Sequence, residues 1–411
     1  MHPIYNGMVY FVWFLATYYT VFFLLYLISH KNNIFENRTC NRKTNPKISI
    51  IVPAFNEEDS IAETIQSLKE ITYKNLEVLI ISDGSTDNTS RIVSKEILDD
   101  SRFKFIDNQK NQGKATVLNQ GIKLVKGKFV ACMDADSVVE NDIIEKILPY
   151  FSDQDVGAVT ISVDVNKPKT FLHRIVALEF ALGLSLFLKI FSFLDCIFVT
   201  PGPFSMYRKT ALREIGGFNP ENITEDHEIA FRLHKYGYKI RNCIEAKVHT
   251  TLPETFKGIY VQRRRWYSGA IQTFFQHRNM LGKKKYGFFA YFIPYNFFLI
   301  GMGLFLFTFS TILFLNKNIK ELLLYRYTGF NFFENLSLNI DILGYGRVNI
   351  LGVSLLMATI LLMLIGIIFT KRKFSEHKLG MLGYPFLFFL YQIYWGGALL
   401  AIVKGRRIKW R

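Results

Sequence analysis

No aspartate, glutamate, lysine or arginine occurs before Lys31. Acidic residues are scarce throughout: 34 Asp and Glu stand against 50 Lys and Arg, a formal charge of +16. Cysteine is rarer still. Cys40, Cys132, Cys196 and Cys243 are widely scattered and lack metal-ligand spacing. That excludes a structural zinc site and a disulfide scaffold, and the four read as reduced thiols facing the cytoplasm. The composition also excludes collagen and a disordered chain. What is abundant is apolar: half the residues are hydrophobic and 39 are Phe, and they come in blocks.

Residues 9–28 are almost wholly apolar and aromatic. A bilayer core of ~30 Å needs about 20 such residues in a helix. A basic start, a short apolar run and a small-residue cleavage site, the marks of a secretory signal, are all missing. Residues 1–30 therefore read as a retained anchor. Three more charge-free blocks, 286–316, 348–370 and 379–403, are each long enough to span, so 286–411 reads as a membrane region with a basic tail. Lys283, Lys284 and Lys285 precede the first of these, and Lys371, Arg372 and Lys373 follow the second. The loop 317–347 is poorer, with four basic and three acidic residues. The positive-inside rule then places 31–285 in the cytoplasm of a multi-pass cell-membrane protein. The basic tail, from Lys404 on, also favours the cytoplasm. That conflicts with four full crossings, unless the last block, interrupted by Pro385, stops short of crossing.

Residues 31–285 read as one domain. Strand-like runs at 47–53, 76–82, 103–107, 128–133 and 158–162 alternate with helical stretches, one expected from an Asn56 cap to about Leu68. Such alternation implies an α/β, mainly parallel sheet with ligands at the carboxyl ends of its strands. The segments near 171–194 and 256–280 are apolar with embedded charges and read as interfacial helices.

The polar clusters fall at strand ends. Asp134 and Asp136 lie on alternate positions, so both carboxylates can meet one hard cation with diphosphate oxygens filling the other positions, or they form a solvated turn. Asp83 can accept the imide N–H of a uracil ring or serve as an Asx-turn. Lys114 follows a Gly turn and suits either a nucleotide or a surface. Thr224-Glu225-Asp226 opens a helical pattern: Thr as N-cap with acids in the first turn is ordinary helix chemistry, and a general base is the alternative. Gln262, Arg265 and Trp266 share one helical face. An indole there can stack on a sugar and a guanidinium can bind diphosphate, or the segment is a basic interfacial helix with Trp at headgroup depth.

Taken in order, Pro53-Ala54-Phe55-Asn56-Glu57, Asp83-Gly84-Ser85, Asn111-x-Gly-Lys114-Ala, Asp134-x-Asp136, Gly202-Pro-Phe, Thr224-Glu225-Asp226 and Gln262-x-x-Arg265-Trp266 resemble the family 2 processive membrane glycosyltransferases. Hyaluronan, cellulose, chitin and poly-N-acetylglucosamine synthases belong to that family. With one leading anchor and no added domain, the layout looks most like the poly-N-acetylglucosamine synthases. The resemblance implies a GT-A-type, Rossmann-like cytoplasmic domain on transmembrane and interfacial helices. It assigns Pro53, Phe55, Glu57, Asp83, Lys114 and Asp134 to the nucleotide. Asp134 and Asp136 go to Mg²⁺ or Mn²⁺, and Asp226 with Glu225 to catalysis. Gly202, Gln262, Arg265 and Trp266 go to the acceptor and diphosphate. Ser82 stands where many members have a second Asp.

The function implied is inverting, processive β-transfer from a UDP-sugar, UDP-N-acetylglucosamine by preference, into an exported polysaccharide. The alternative is transfer of one sugar to a lipid or polyprenyl-phosphate acceptor. Partners are then the donor, the growing polysaccharide or lipid-linked acceptor and membrane lipids, with room for an accessory membrane subunit. Nucleic acid is not among them: much of the positive charge flanks membrane helices, and no nucleic-acid motif occurs.

Overall fold

A computed structural model describes residues 3–35, 45–166, 168–328, 347–370 and 372–404. Cys40, most of the loop before the second-last apolar block and the tail charges after Lys404 lie outside the described residues. The described residues divide into two compact units: Met1–Ser29 with Tyr295–Ile365, and His30–Pro294 with Gly366–Arg411.

The first unit is helical. The Pro3–Ser29 helix is joined to the Phe289–Thr328 helix by polar pairs set among apolar side chains. Tyr5 Oη and Ser310 Oγ are 2.6 Å apart, and the Tyr19 hydroxyl donates to Asn296 Oδ1 at 3.2 Å.

The second unit is built on one eight-stranded sheet: β1 (Ile48–Ala54), β2 (Leu76–Asp83), β3 (Phe103–Asn108), β4 (Phe129–Cys132), β5 (Ser137–Val139), β6 (Val156–Val165), β7 (Ser205–Arg208) and β8 (Lys239–Thr250). The spatial order is β3-β2-β1-β4-β7-β6-β8-β5. The first four strands are parallel, as the alternating pattern predicts. The far half is mixed: β7 runs antiparallel to β4 and β6, β8 is parallel to β6, and β5 is antiparallel to β8. β1 and β2 are β-branched runs buried on both faces, as helix-covered parallel strands must be. Ile61, Ile65 and Leu68 of the Ile61–Lys69 helix pack into the same core.

Asn56 does not cap that helix. Ser60 occupies the position before it, and Asn56 turns left-handed at φ 54 to accept the Thr86 N–H at 2.8 Å. Glu57 N–H donates to Thr89 Oγ1 and Glu58 accepts from Asn88 N–H, at 2.8 and 3.0 Å. The loops after β1 and β2 are thus stapled into one polar rim.

Among the described residues, three helices are long and apolar enough to cross a membrane: Tyr5–Ser29, Phe171–Phe193 and Phe289–Leu313. Their lengths and apolarity mark a membrane protein. The Phe171–Phe193 segment differs from the interfacial expectation, because protein covers 83% of its apolar window. Its Lys189 is fully buried and donates to Tyr150 Oη and to the Asn242 carbonyl, at 3.3 and 3.2 Å. A buried charge at that position is thus hydrogen-bonded, by the turn that carries Tyr150 and by β8.

The last apolar block forms the Phe374–Val403 helix, which bends by 50° between His377–Leu387 and Phe389–Val403, beside Pro385. It belongs to the second unit and packs on the Phe171–Phe180 and Phe256–Gln276 helices. Pro385 lies three residues before that break.

Candidate active site

β1, β2 and β4 are parallel, so their carboxyl ends open on one edge of the sheet. The buried Asp83 ends β2. It does not cap the helix that follows: its two oxygens accept the N–H groups of Gln112 and Gly113, at 2.8 and 2.9 Å. Gly84 makes that clamp possible. It sits at φ +71, and a Cβ there would lie 2.7 Å from Asn111 N. Only glycine accepts both the angle and the close approach. Gly113 precedes the Lys114–Leu124 helix, so Asp83 fixes the point from which Lys114 enters the site.

Lys114 reaches across two motifs. Its ammonium lies 2.6 Å from Asp134 Oδ1 and 2.8 Å from Glu225 Oε1, with the Lys114 side chain only 11% exposed. Burial works against its charge, but Asp134, Glu225 and Asp226 raise its pKa well above the ordinary value. The surface reading of Lys114 is therefore excluded. Gly202 closes the group. A Cβ there would lie 2.7 Å from Asp134 Oδ2 and 2.9 Å from Lys114 Nζ.

A second staple brings the later motifs in. Asn222 donates to Thr273 Oγ1 and Gln276 Oε1, both at 3.1 Å, and Gln272 accepts from Ile223 N–H at 3.1 Å. Gly269 packs directly on the Thr224 side chain, which leaves no room for a Cβ. The Glu225–Lys235 helix thus starts against the Phe256–Gln276 helix. Thr224 stands at the cap position without making a side-chain cap; its hydroxyl and N–H both turn to Asn222 Oδ1. Thr200 holds the start of that helix through two bonds to the Asp226 carbonyl, and the Tyr207 hydroxyl donates to Thr200 at 2.9 Å.

The electrostatics separate the two acids. Burial would raise Glu225, yet the Lys114 ammonium beside it holds it below the ordinary carboxylate value. Burial, and then the Glu225 charge, push Asp226 up to about 6, with Lys114 and Arg265 opposing. Neighbouring carboxylates whose surroundings push them apart mark acid–base sites. Lys114, Glu225 and Asp226, together with Cys132, Thr200, Gly202 and Tyr207, line one small cleft.

Asp136 is pushed up to about 7 by burial and by the charges of Asp134 and Glu57. Carboxylates crowded this way call for a cation, so Asp134 and Asp136 fit a hard divalent ion. Among the described residues no group of three or more His, Cys, Asp or Glu could hold a metal, so a ligand's oxygens would have to complete the shell. Gln262 Oε1 is buried without a hydrogen-bond partner. Trp266 packs against Phe180, their centroids 6.2 Å apart.

Thr200, Tyr207 and Cys132 did not stand out in the sequence. The four-residue β7 that carries Tyr207 has too little pattern to read, and nothing in a lone Thr signals a backbone clamp. Pro53 and Phe55 are half-buried at the end of β1, and the structure gives them no further role.

A sheet whose parallel half continues into a mixed half is the fold of GT-A glycosyltransferases. Residues 49–216 match the model described as "Glycosyl transferase family 2", and the chain carries a family 2 glycosyltransferase domain. It is similar to the poly-β-1,6-N-acetyl-D-glucosamine synthase of Staphylococcus aureus, 30% identical over 267 residues, 62% of this chain and 65% of that one. It is likewise similar to that of Staphylococcus epidermidis, 32% identical over 232 residues, 55% of each. The matched stretch thus spans less than two thirds of these relatives' length. The fold resembles that of mannosyltransferase PcManGT from Pyrobaculum calidifontis, solved with GDP-Man and Mn²⁺, at a TM-score of 0.62, 17% identity and coverage of 98% of this chain and 100% of that one.

The Gly202 geometry carries a prediction. In Gly202→Ala the new methyl must displace the Lys114–Asp134 pair, whose atoms are side-chain ends able to move. The fold should survive, with a melting temperature near wild type. Donor KM should rise about tenfold, the equivalent of ~1.4 kcal/mol. Calorimetry beside steady-state kinetics checks both halves.

Proposed function

We propose that this chain is a membrane-embedded, inverting β-glycosyltransferase that polymerises a UDP-sugar, by preference UDP-N-acetylglucosamine. The observation that carries the reading is the buried pair Glu225 and Asp226, split by Lys114 and set against the helix bearing Gln262, Arg265 and Trp266. Asp134 and Asp136 would hold Mg²⁺ or Mn²⁺, which supplies Lewis-acid charge to the departing diphosphate. Lys114 adds positive charge beside Asp134. Glu225, kept ionised by Lys114, holds that lysine in place. Asp226 takes the proton from the acceptor hydroxyl as its oxygen bonds to the anomeric carbon and the sugar–diphosphate bond breaks. Attack from the face opposite the leaving group gives the β-linkage. The orphan Gln262 oxygen accepts a hydroxyl of the acceptor sugar, and the Trp266 indole lies along its ring.

The catalytic unit stands on the cytoplasmic side in this reading. Arg372, in the basic loop after residues 348–370, pairs with Asp164 of β6 in the same unit, which supports a shared side for that loop and the domain. The 50° bend in the last helix supports a block that does not fully cross, leaving the basic tail cytoplasmic.

Product size tests the reading: purified protein with labelled UDP-N-acetylglucosamine should yield a ladder or high polymer, whereas one glycolipid spot would mean single transfer. Trp266→Ala should give little or no polymer with UDP affinity changed less than tenfold, about 1.4 kcal/mol. If Trp266 only anchored the chain at an interface, Trp266→Tyr would be nearly silent and Trp266→Ala would still elongate.

A further inference from the structure

Three helices of the second unit meet at one carboxylate. Glu179, on the Phe171–Phe180 helix, accepts from Arg263 Nη1 at 2.9 Å and Nη2 at 2.7 Å. Its Oε1 also accepts the hydroxyl of Tyr391, from the Phe374–Val403 helix, at 2.6 Å. The pair is nearly dry, with Arg263 and Glu179 side chains 5% and 11% exposed. Arg263 in turn covers the Trp266 indole from one side, its guanidinium carbon 4.6 Å from the ring centroid and 5.4 Å from that of Phe180.

A buried ion pair is weak evidence of stability, because desolvation offsets most of the attraction. Its geometry is better evidence of orientation. A bidentate fork fixes the plane of a guanidinium, and a guanidinium lying on an indole limits the tilt of that ring. The Tyr391 hydroxyl gives the last helix a hold on the same carboxylate.

We propose that Glu179 is a positioning residue for the acceptor. Through Arg263 it sets the plane of Trp266, and through Tyr391 it ties that plane to the position of the C-terminal helix. This rests on the reading above that Trp266 contacts the acceptor sugar. A shift of the last helix would then alter the grip on the acceptor while the donor side, at Asp83, Lys114 and Asp134, stays unchanged.

The test uses the full purified chain, UDP as the donor-site probe and a β-linked N-acetylglucosamine oligosaccharide as acceptor. Glu179→Gln should bind UDP within twofold of wild type, raise acceptor KM at least tenfold and shorten the product. Glu179→Asp should recover part of the loss. Tyr391→Phe, which removes one hydroxyl and preserves packing, should raise acceptor KM about threefold at an unchanged melting temperature. In a Trp266→Ala background, Glu179→Gln should add nothing, because its effect passes through that ring. Additive losses in the double variant would overturn the proposal and leave a purely structural pair. Wild-type acceptor KM and product length in Tyr391→Phe would overturn it as well, even if Glu179→Gln failed to fold. Should wild type make only a single glycolipid, polymerisation fails, but the acceptor KM values still decide the role of Glu179.

Discussion

Asp226→Asn should bind UDP as wild type does and transfer sugar roughly 10²–10⁴-fold more slowly, the usual loss when a general base is removed. The isostere keeps the His227 N–H bond that Asp226 Oδ1 now accepts, so local structure should hold. A pH profile strengthens the case. The base works ionised, and burial with the Glu225 charge places Asp226 at about 6. Wild-type kcat/KM should therefore fall as pH drops through about 6, above the range of an ordinary carboxylate. The residual activity of the Asn variant should lack that limb. The same shift has a sign for stability. A carboxyl whose pKa is raised on folding stabilises the fold below its unfolded pKa, and that stability is lost as pH rises through the folded one. At neutral pH the uncharged variant should melt no lower than wild type, and somewhat higher. Loss of UDP binding with kcat retained at saturation would instead move Asp226 to the donor site.

Asp134→Asn and Asp136→Asn should each abolish measurable transfer and weaken UDP-sugar binding. Asp136 is already pushed up to about 7 by burial and its acidic neighbours, so a bound cation answers a charge problem built into the fold. Asp134 is also the partner of Lys114, and its loss should free that lysine from one of its two acids. The Asp136 variant removes a carboxylate without touching Lys114, so a loss common to both variants reports on the metal. Isothermal titration of Mn²⁺ with UDP present, and transfer with and without EDTA, measure this directly. Full turnover in excess EDTA would remove the metal from the account.

Much of the parallel half was legible because β1 and β2 are long apolar runs and the polar clusters at residues 56–58, 83–85 and 134–136 follow strand runs. Of the other half, β6 was legible, through the run 158–162. β7 has four residues and β5 three, too short for a period, whereas β8 alternates polar and apolar positions except across Asn242–Ile244 and did offer a strand signal. Asp83 and Asn56 show a second limit. Each has the residue type for a local cap, and each is used for a contact about 30 residues away. Sequence spacing shows what a side chain can bond, while tertiary structure decides between near and distant partners. Phe171–Phe193 shows the reverse. Its composition suits a membrane surface, yet its Lys189 is bonded inside the protein, to Tyr150 Oη and to the Asn242 carbonyl of β8.

The central claim is a single displacement with Asp226 as base and a nucleoside diphosphate as leaving group. It is tested most directly by the configuration of the bond formed. Purified protein, UDP-N-acetylglucosamine and Mn²⁺ should give a product whose new linkages are β by NMR, inverted from the α-linked donor. An α-linked product would require a double displacement or front-face attack, which contradicts the role given to Asp226.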